Sequence, residues 1–324
     1  MAYSAVQWRP GRKQLLLLLL CSAALYVVLP QLGVFRHSLS VLPQAERPAL
    51  ALAVAFTGAT YVLASITYYL LALRPLRYSR TLLVQVAGLF TNHLLPAGIG
   101  GIGVSYLYLR RARHTTTQAT TVVAANNMLG LVGHLLLTGG ILAVWHADLP
   151  GWRTVWRPHI QDWEYWLVAA FLAVVLLLSY VYGRRAQRAL AAIARQLWLY
   201  RRQPLKLAAA LLTSMSLTLC NILSLFYCVV AFHIPLSFVS VLLVFSLGIA
   251  LGTATPTPGG LGGVEAGLVA GMVALHIPAA HALAAVLVYR FISYWLAIAV
   301  GALAFVIVLK RGYLNRPART ATVN

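Results

Sequence analysis

The chain has 324 residues, of which 61% are hydrophobic and 9% charged, and its mean hydropathy is +0.81. That balance excludes a soluble globular protein, which would aggregate through so much exposed apolar surface. The formal net charge of +20 invites a nucleic-acid reading. The arginines, however, gather at the ends of apolar stretches instead of interleaving with aromatics on one polar face, so no nucleic-acid partner is expected and the charge is read as membrane orientation and affinity for anionic headgroups.

Six apolar stretches reach the roughly 20 residues that a helix needs to cross about 30 Å of hydrocarbon. They are residues 15–34, 49–73, 117–144, 163–182, 207–232 and 279–309. The first follows Arg9, Arg12 and Lys13; it is longer than a signal-peptide core and no convincing small-x-small cleavage site follows it, so it is read as a retained anchor. Basic clusters come next at Arg74, Arg77 and Arg80, at Arg110, Arg111 and Arg113, across residues 184–206, and at Lys310, Arg311, Arg316 and Arg319. By the positive-inside rule all of them, with both termini, face the cytoplasm. Residues 36–48 and 146–162 and the turns at His233 and His276 then lie outside. Cys21, Cys220 and Cys228 all fall within apolar stretches, where a thiol behaves as a small hydrophobe, so neither a disulfide framework nor a metal site is expected. No cofactor is expected either.

Arg80 and Arg110 both belong on the cytoplasmic side, yet the residues between them are mostly apolar. One crossing cannot satisfy both ends; a re-entrant hairpin can. It enters from residue 81, turns over 92–101 (Asn-His-Leu-Leu-Pro-Ala-Gly-Ile-Gly-Gly) and returns over 102–110. A second hairpin approaches from the outer side over 237–251, turns over the Gly/Pro-rich segment 252–263 and returns over 264–275. Proline and glycine interrupt a helix at both turns. Kinks in two long spans, with glycines for close packing, are the alternative.

The two turns resemble each other. Pro96-Ala-Gly-Ile-Gly-Gly-Ile aligns with Pro258-Gly-Gly-Leu-Gly-Gly-Val, and Asn127 and Arg290 lie 31 and 32 residues beyond those prolines. The expected fold is therefore an all-α polytopic membrane protein, about six transmembrane helices plus two re-entrant helical hairpins in an inverted repeat. The whole chain, 1–324, forms one transmembrane domain; residues 14–145 make the first unit and 163–309 the second, inverted unit. Inverted repeats with broken helices that meet near the midplane mark transporters.

Irregular backbone in hydrocarbon persists only where protein or a watery cavity surrounds it, so both turns are expected to line a cavity. The candidate substrate-binding residues are Asn92, His93, Pro96, Gly98 and Gly100 at the first turn and Pro258, Gly259, Gly260, Gly262 and Gly263 at the second. Asn127, Glu265, Tyr289 and Arg290 complete the set. Glu265 is the one acid inside the apolar regions, and it and Arg290 fall near the midplane, where a charge needs a partner or water. Either Arg290 meets an anionic headgroup while Glu265 neutralises it in the empty site, or the two form a static pair that fixes the hairpin. Asn126 and His134 add neutral polar groups.

The segments Thr255-Pro-Thr-Pro-Gly-Gly-Leu-Gly-Gly-Val-Glu265 and His281-Ala-Leu-Ala-Ala-Val-Leu-Val-Tyr-Arg290 resemble the flippase-like family typified by the transmembrane region of lysylphosphatidylglycerol synthases. Leu95-Pro-Ala-Gly-Ile-Gly-Gly and Tyr106-Leu-Tyr-Leu-Arg-Arg111 are similar to that family's first repeat, with Ile102, Gly103 and Ser105 where the family usually carries an acid and a base. The resemblance implies lipid translocation between leaflets and membrane-lipid partners, anionic or phosphate-bearing. It does not imply aminoacyl transfer, since no soluble catalytic domain is found within the chain. The protein is thus expected to be a lipid or lipid-linked substrate flippase that binds an anionic headgroup in a midplane cavity. It is expected not to be an enzyme, because no paired-carboxylate, HExxH or Ser/His/Asp constellation stands in the spans. A non-transporting scaffold for a lipid-modifying enzyme is the alternative. Arginine-rich, lysine-poor usage points to a bacterial cytoplasmic membrane.

Overall fold

A backbone surrounded by hydrocarbon has to satisfy its own hydrogen bonds, and the helix is the local way to do so. The computed structural model describes residues 42–95, 98–144, 200, 203–255 and 257–314, and every regular element among them is helical. In chain order these are α1 (Arg47–Leu71), α2 (Tyr78–Leu94), α3 (Ile99–Arg111), α4 (Thr116–Val144), α5 (Pro204–Ala231), α6 (Phe238–Ala254), α7 (Gly263–Ala274), α8 (Ala279–Arg290) and α9 (Ala297–Lys310). A π-helical turn, Phe291–Leu296, joins α8 to α9 into one continuous rod. Four helices are long and apolar enough to cross a membrane: α1, α4, α5 and the rod Ala279–Lys310, with 25, 29, 28 and 32 residues. They correspond to four of the six expected spans. The stretches 15–34 and 163–182, Cys21, the segment 146–162 expected to lie outside and most of the basic segment 184–206 fall beyond the described residues.

Between the long helices stand two pairs of short ones. Helices α2 and α3 pack on each other, as do α6 and α7. Both outgoing helices stop at the residue before a proline, as the clash with the proline ring requires. Leu95 (φ −104°, ψ 142°) precedes Pro96, and Thr255 (φ −88°, ψ 126°) precedes Pro256. The chain therefore reverses at each Gly/Pro segment instead of kinking. Asn92 and His93 sit in the last turn of α2, not in the connecting turn, and α3 restarts at Ile99, three residues earlier than the sequence pattern places it. No breaker precedes Pro96, so the helix runs on to it.

Helix α1 packs antiparallel along α5. Glu46 N–H donates to Ala231 O at one end (2.9 Å) and Tyr200 OH to Leu71 O at the other (2.5 Å). Small polar residues tie the middle: Ser224 Oγ donates to Ala53 O at 3.0 Å and lies 2.8 Å from Thr57 Oγ1. This is how helices associate where lipid removes the hydrophobic incentive to pair. Thr81, near the start of α2, bonds Tyr108 OH near the end of α3 at 3.0 Å, so Arg80 and Arg110 stand at the same end of the molecule. At that end Arg74 N–H donates to His114 Nε2 at 3.1 Å, and the Arg80 guanidinium lies 5.3 Å from the Tyr313 ring centroid. Helices α5 to α8 enclose the largest buried apolar cluster, which includes Ile222, Leu225, Leu242, Leu268, Met272 and Val286.

Candidate functional site

At the first tip, Leu95 N–H caps back to Thr91 O at 3.1 Å, and Gly98 turns the chain with φ 71°. A Cβ on Gly100 would stand 1.9 Å from Thr91 O, so only glycine lets α3 start this close to the end of α2. Pro96 lies outside the described residues. At the second tip Gly259, Gly260 and Gly262 all have positive φ, which L side chains rarely adopt. Pro258 O accepts Leu261 N–H at 3.3 Å, and a Cβ on Gly263 would meet Thr255 Oγ1 at 2.4 Å.

One chain of polar contacts runs from the second tip to the first. Glu265 Oε2 accepts Gly262 N–H at 2.8 Å, a cap on the start of α7. Its Oε1 accepts Arg290 Nε at 2.7 Å, the one ion pair among the described residues. Arg290 Nη2 donates to Gly259 O at 3.1 Å, and its guanidinium carbon lies 4.8 Å from the centroid of Tyr294. The Tyr294 ring meets His93 edge-on at 4.8 Å, and its hydroxyl donates to His93 O at 3.3 Å. His93 Nδ1 lies 2.7 Å from Leu89 O, which assigns the ring proton to Nδ1. Tyr294, which locks one tip to the other, has no signal in the sequence beyond standing four residues after Arg290. The π-helical turn that carries it leaves none at all.

Two cavities flank this strut. The first, about 460 Å³, lies between α1, α2, α3, α4 and α5. Its polar wall is wholly neutral: Thr67, Gln85, Asn92, Ser105, Asn126, Asn127, Ser214 and Thr218. Gln85 Nε2 donates to Ser105 Oγ at 3.2 Å, whereas the side-chain amides of Asn92, Asn126 and Asn127 form no hydrogen bond with the described residues. The second cavity, about 390 Å³, opens between the tips and is lined by Asn92, His93 and Gly98 from one and by Gly252, Thr253, Thr255, Thr257, Gly259 and Gly260 from the other. Asn92 and Gly98 face both cavities.

The sequence-selected residues thus divide. Asn92, His93, Gly98, Gly259 and Gly260 converge on the space between the tips, and Asn127 faces the larger cavity. Glu265 and Arg290 line neither; Arg290 is 7% exposed, and its Nε and Nη2 donate within the strut. Tyr289 is buried in the apolar cluster and faces neither cavity. Gly100, Pro258, Gly262 and Gly263 shape the turns. Gln85, Ser105, Ser214 and Thr218 escape sequence reading because a lone hydroxyl or amide in a span looks like interhelical glue.

Compared with the curated proteins, the chain has no match. An apolar, multi-helical chain enclosing a neutral polar cavity has the makings of a membrane protein that handles lipid, and the family comparison agrees. The model of the lysylphosphatidylglycerol synthase TM region matches residues 14–301, nearly the whole chain, which therefore belongs to that membrane-lipid family.

Proposed function

We propose that the protein moves a membrane lipid, or a lipid-linked substrate, from one leaflet to the other without modifying it chemically. The observation that carries this reading is the neutral cavity. Three asparagine amides with no partner among the described residues face a space of about 460 Å³ inside a protein built of apolar helices. An unsatisfied amide away from water costs on the order of several kcal/mol, so such a wall needs water or a polar ligand to face. Amide N–H and hydroxyl groups donate to phosphate oxygens and to headgroup hydroxyls alike, so a phosphate-bearing headgroup fits without a fixed cation in the wall.

The short helices support the same reading. At 1.5 Å per residue, α3 and α7, with 13 and 12 residues, extend only about 20 Å and 18 Å, too short for about 30 Å of hydrocarbon. Read as re-entrant hairpins, they enter from opposite faces and meet at the Arg290–Tyr294–His93 strut. The order long, short, short, long occurs twice, with 25, 17, 13 and 29 residues and then 28, 17, 12 and 32. With the expected spans 15–34 and 163–182, which lie outside the described residues, each unit makes three crossings, and an odd number makes the second copy inverted, the arrangement that gives alternating access. In this reading the basic end faces the cytoplasm of a bacterial cell and the headgroup passes along the tips.

Proteoliposomes carrying a fluorescent phosphatidylglycerol test it. The wild-type protein should accelerate loss of the label to an impermeant quencher over protein-free vesicles. Asn127→Leu with Ser214→Leu, which fills the cavity, should abolish that acceleration in a protein that still elutes as a folded species. Equal rates with and without wild-type protein would sink the transport reading. A filled cavity that transports normally would remove the cavity from it.

A further inference from the structure

A third cavity, about 510 Å³, lies at the basic end of the molecule and shares no lining residue with the two described above. Five arginines line it: Arg77 and Arg80 at the start of α2, Arg111 and Arg113 at the end of α3, and Arg311 just past α9. The two acids among the described residues are elsewhere. Glu46 stands just before the start of α1, at the helix's opposite end, and Glu265 is bound to Arg290. The guanidiniums of Arg77, Arg111, Arg113 and Arg311 form no hydrogen bond or ion pair with the described residues. Arg113 is held at φ 64°, a left-handed position at a helix end that glycine would fill with less strain. Its charge is thus kept at this spot against the backbone preference. Arg77, which lines the cavity, is also the N-cap residue of α2 and provides no side-chain cap, so the positive end of that helix dipole adds to the charge there.

We infer that this arginine-lined cavity binds a phosphate-bearing anion, either the headgroup of an anionic phospholipid or a free phosphate compound, bridging α2, α3 and α9. The planar guanidinium fork matches phosphate oxygens two at a time, which an ammonium cannot do. Tyr108, bonded to Thr81, and Tyr313, against Arg80, form the back wall, while Pro75, Leu76 and Ala112 form an apolar lip suited to a glycerol backbone or the first methylenes of an acyl chain. Basic pockets between membrane helices take anionic headgroups by this combination. The site is independent of the transport reading: it requires neither the neutral cavity nor movement of lipid.

Thermal unfolding of the purified full-length protein in neutral detergent tests the inference. Added phosphatidylglycerol should raise the melting temperature saturably, and phosphatidylcholine should not. Arg77→Gln with Arg311→Gln, both exposed residues, should leave the lipid-free melting temperature unchanged and weaken the protection on the order of tenfold. Arg74→Gln with Lys206→Gln removes the same charge outside the cavity and should keep the protection. Arg77→Lys with Arg311→Lys retains the charge but not the fork and should give protection between that of wild type and that of the Arg77→Gln, Arg311→Gln variant. Inorganic pyrophosphate that protects and competes with the lipid would identify a free phosphate compound as a source. Protection by neither anion overturns the site, and equal loss in both double variants reduces it to diffuse surface charge.

Discussion

Glu265 serves two helices with two oxygens, capping α7 at Gly262 and holding Arg290 on α8. Removing either charge strands the other in a largely buried setting, which costs about 3–5 kcal/mol for a buried pair. Glu265→Gln and Arg290→Gln should each lower the thermal stability markedly, and the double variant should recover most of it, because the interaction is lost on both sides at once. Since the pair faces neither cavity, the double variant should also retain lipid movement. A stable double variant that no longer transports would move Arg290 from the strut into the headgroup path. At the basic end, His114 is 2% exposed; its Nε2 accepts Arg74 N–H and its Nδ1 lies 3.2 Å from Leu109 O, an arrangement that needs the neutral ring. Burial, reinforced by the Arg74 charge and opposed by backbone bonds to Leu109 and Ala112, lowers its pKa below the ordinary 6.5. Arg110, which donates to His114 O at 3.0 Å, adds a further charge nearby. The unfolded chain then takes up the proton first, so stability is full above the ordinary value and falls as pH drops through it. Melting temperatures of wild type across that range should decline toward acid, and His114→Asn should flatten the decline; an unchanged slope would release His114 from this role. The ionic pair was legible because a charge in an apolar stretch demands a partner. Tyr294 was not, since a tyrosine there reads as packing and its orientation depends on the π-helical turn.

Gly100 and Gly103 stand three residues apart on α3 and look equivalent in sequence, yet their surroundings differ. A methyl group on Gly100 would overlap the carbonyl of Thr91, whereas nothing lies within 4 Å of the corresponding position on Gly103. Gly100→Ala should therefore separate α3 from α2 and lower the melting temperature strongly, while Gly103→Ala should be neutral or slightly stabilising from the better helix propensity of alanine, within about 1 kcal/mol. Equal effects would mean that the two short helices do not approach as closely as described. The same distinction holds in the second pair. A Cβ on Gly267 meets Gly248 Cα at 2.8 Å, a backbone atom that cannot yield, while one on Gly248 meets the flexible end of Leu268. Helix ends were readable where a proline or a basic cluster marks them. The helical state of Asn92 and His93 was not, because their neighbours at the tip are turn formers and only the position of Pro96 decides where the helix stops.

The arrangement of the whole molecule rests on which helix ends share a face, and for the first unit that was visible as a conflict of charges: Arg80 and Arg110 both at the basic end with too few residues for two crossings between them. The second unit carries no such charge signal, and its hairpin was legible only through the likeness of its Gly/Pro segment to the first. Single cysteines separate the topologies when placed in a chain whose Cys21, Cys220 and Cys228 are replaced by alanine. Ser79 and Thr115 flank the first pair of short helices, Ser237 and His276 flank the second, and all four are exposed. With both pairs re-entrant from opposite sides, an impermeant thiol reagent outside intact cells should label cysteines at 237 and 276 and leave those at 79 and 115 untouched until the membrane is opened. Labelling of all the others' complement, 79 and 115 alone, would invert the molecule in the membrane while keeping both hairpins. A split within either pair would mean that its short helices complete a crossing between them, and the inverted repeat, with the alternating access built on it, would then have no structural basis.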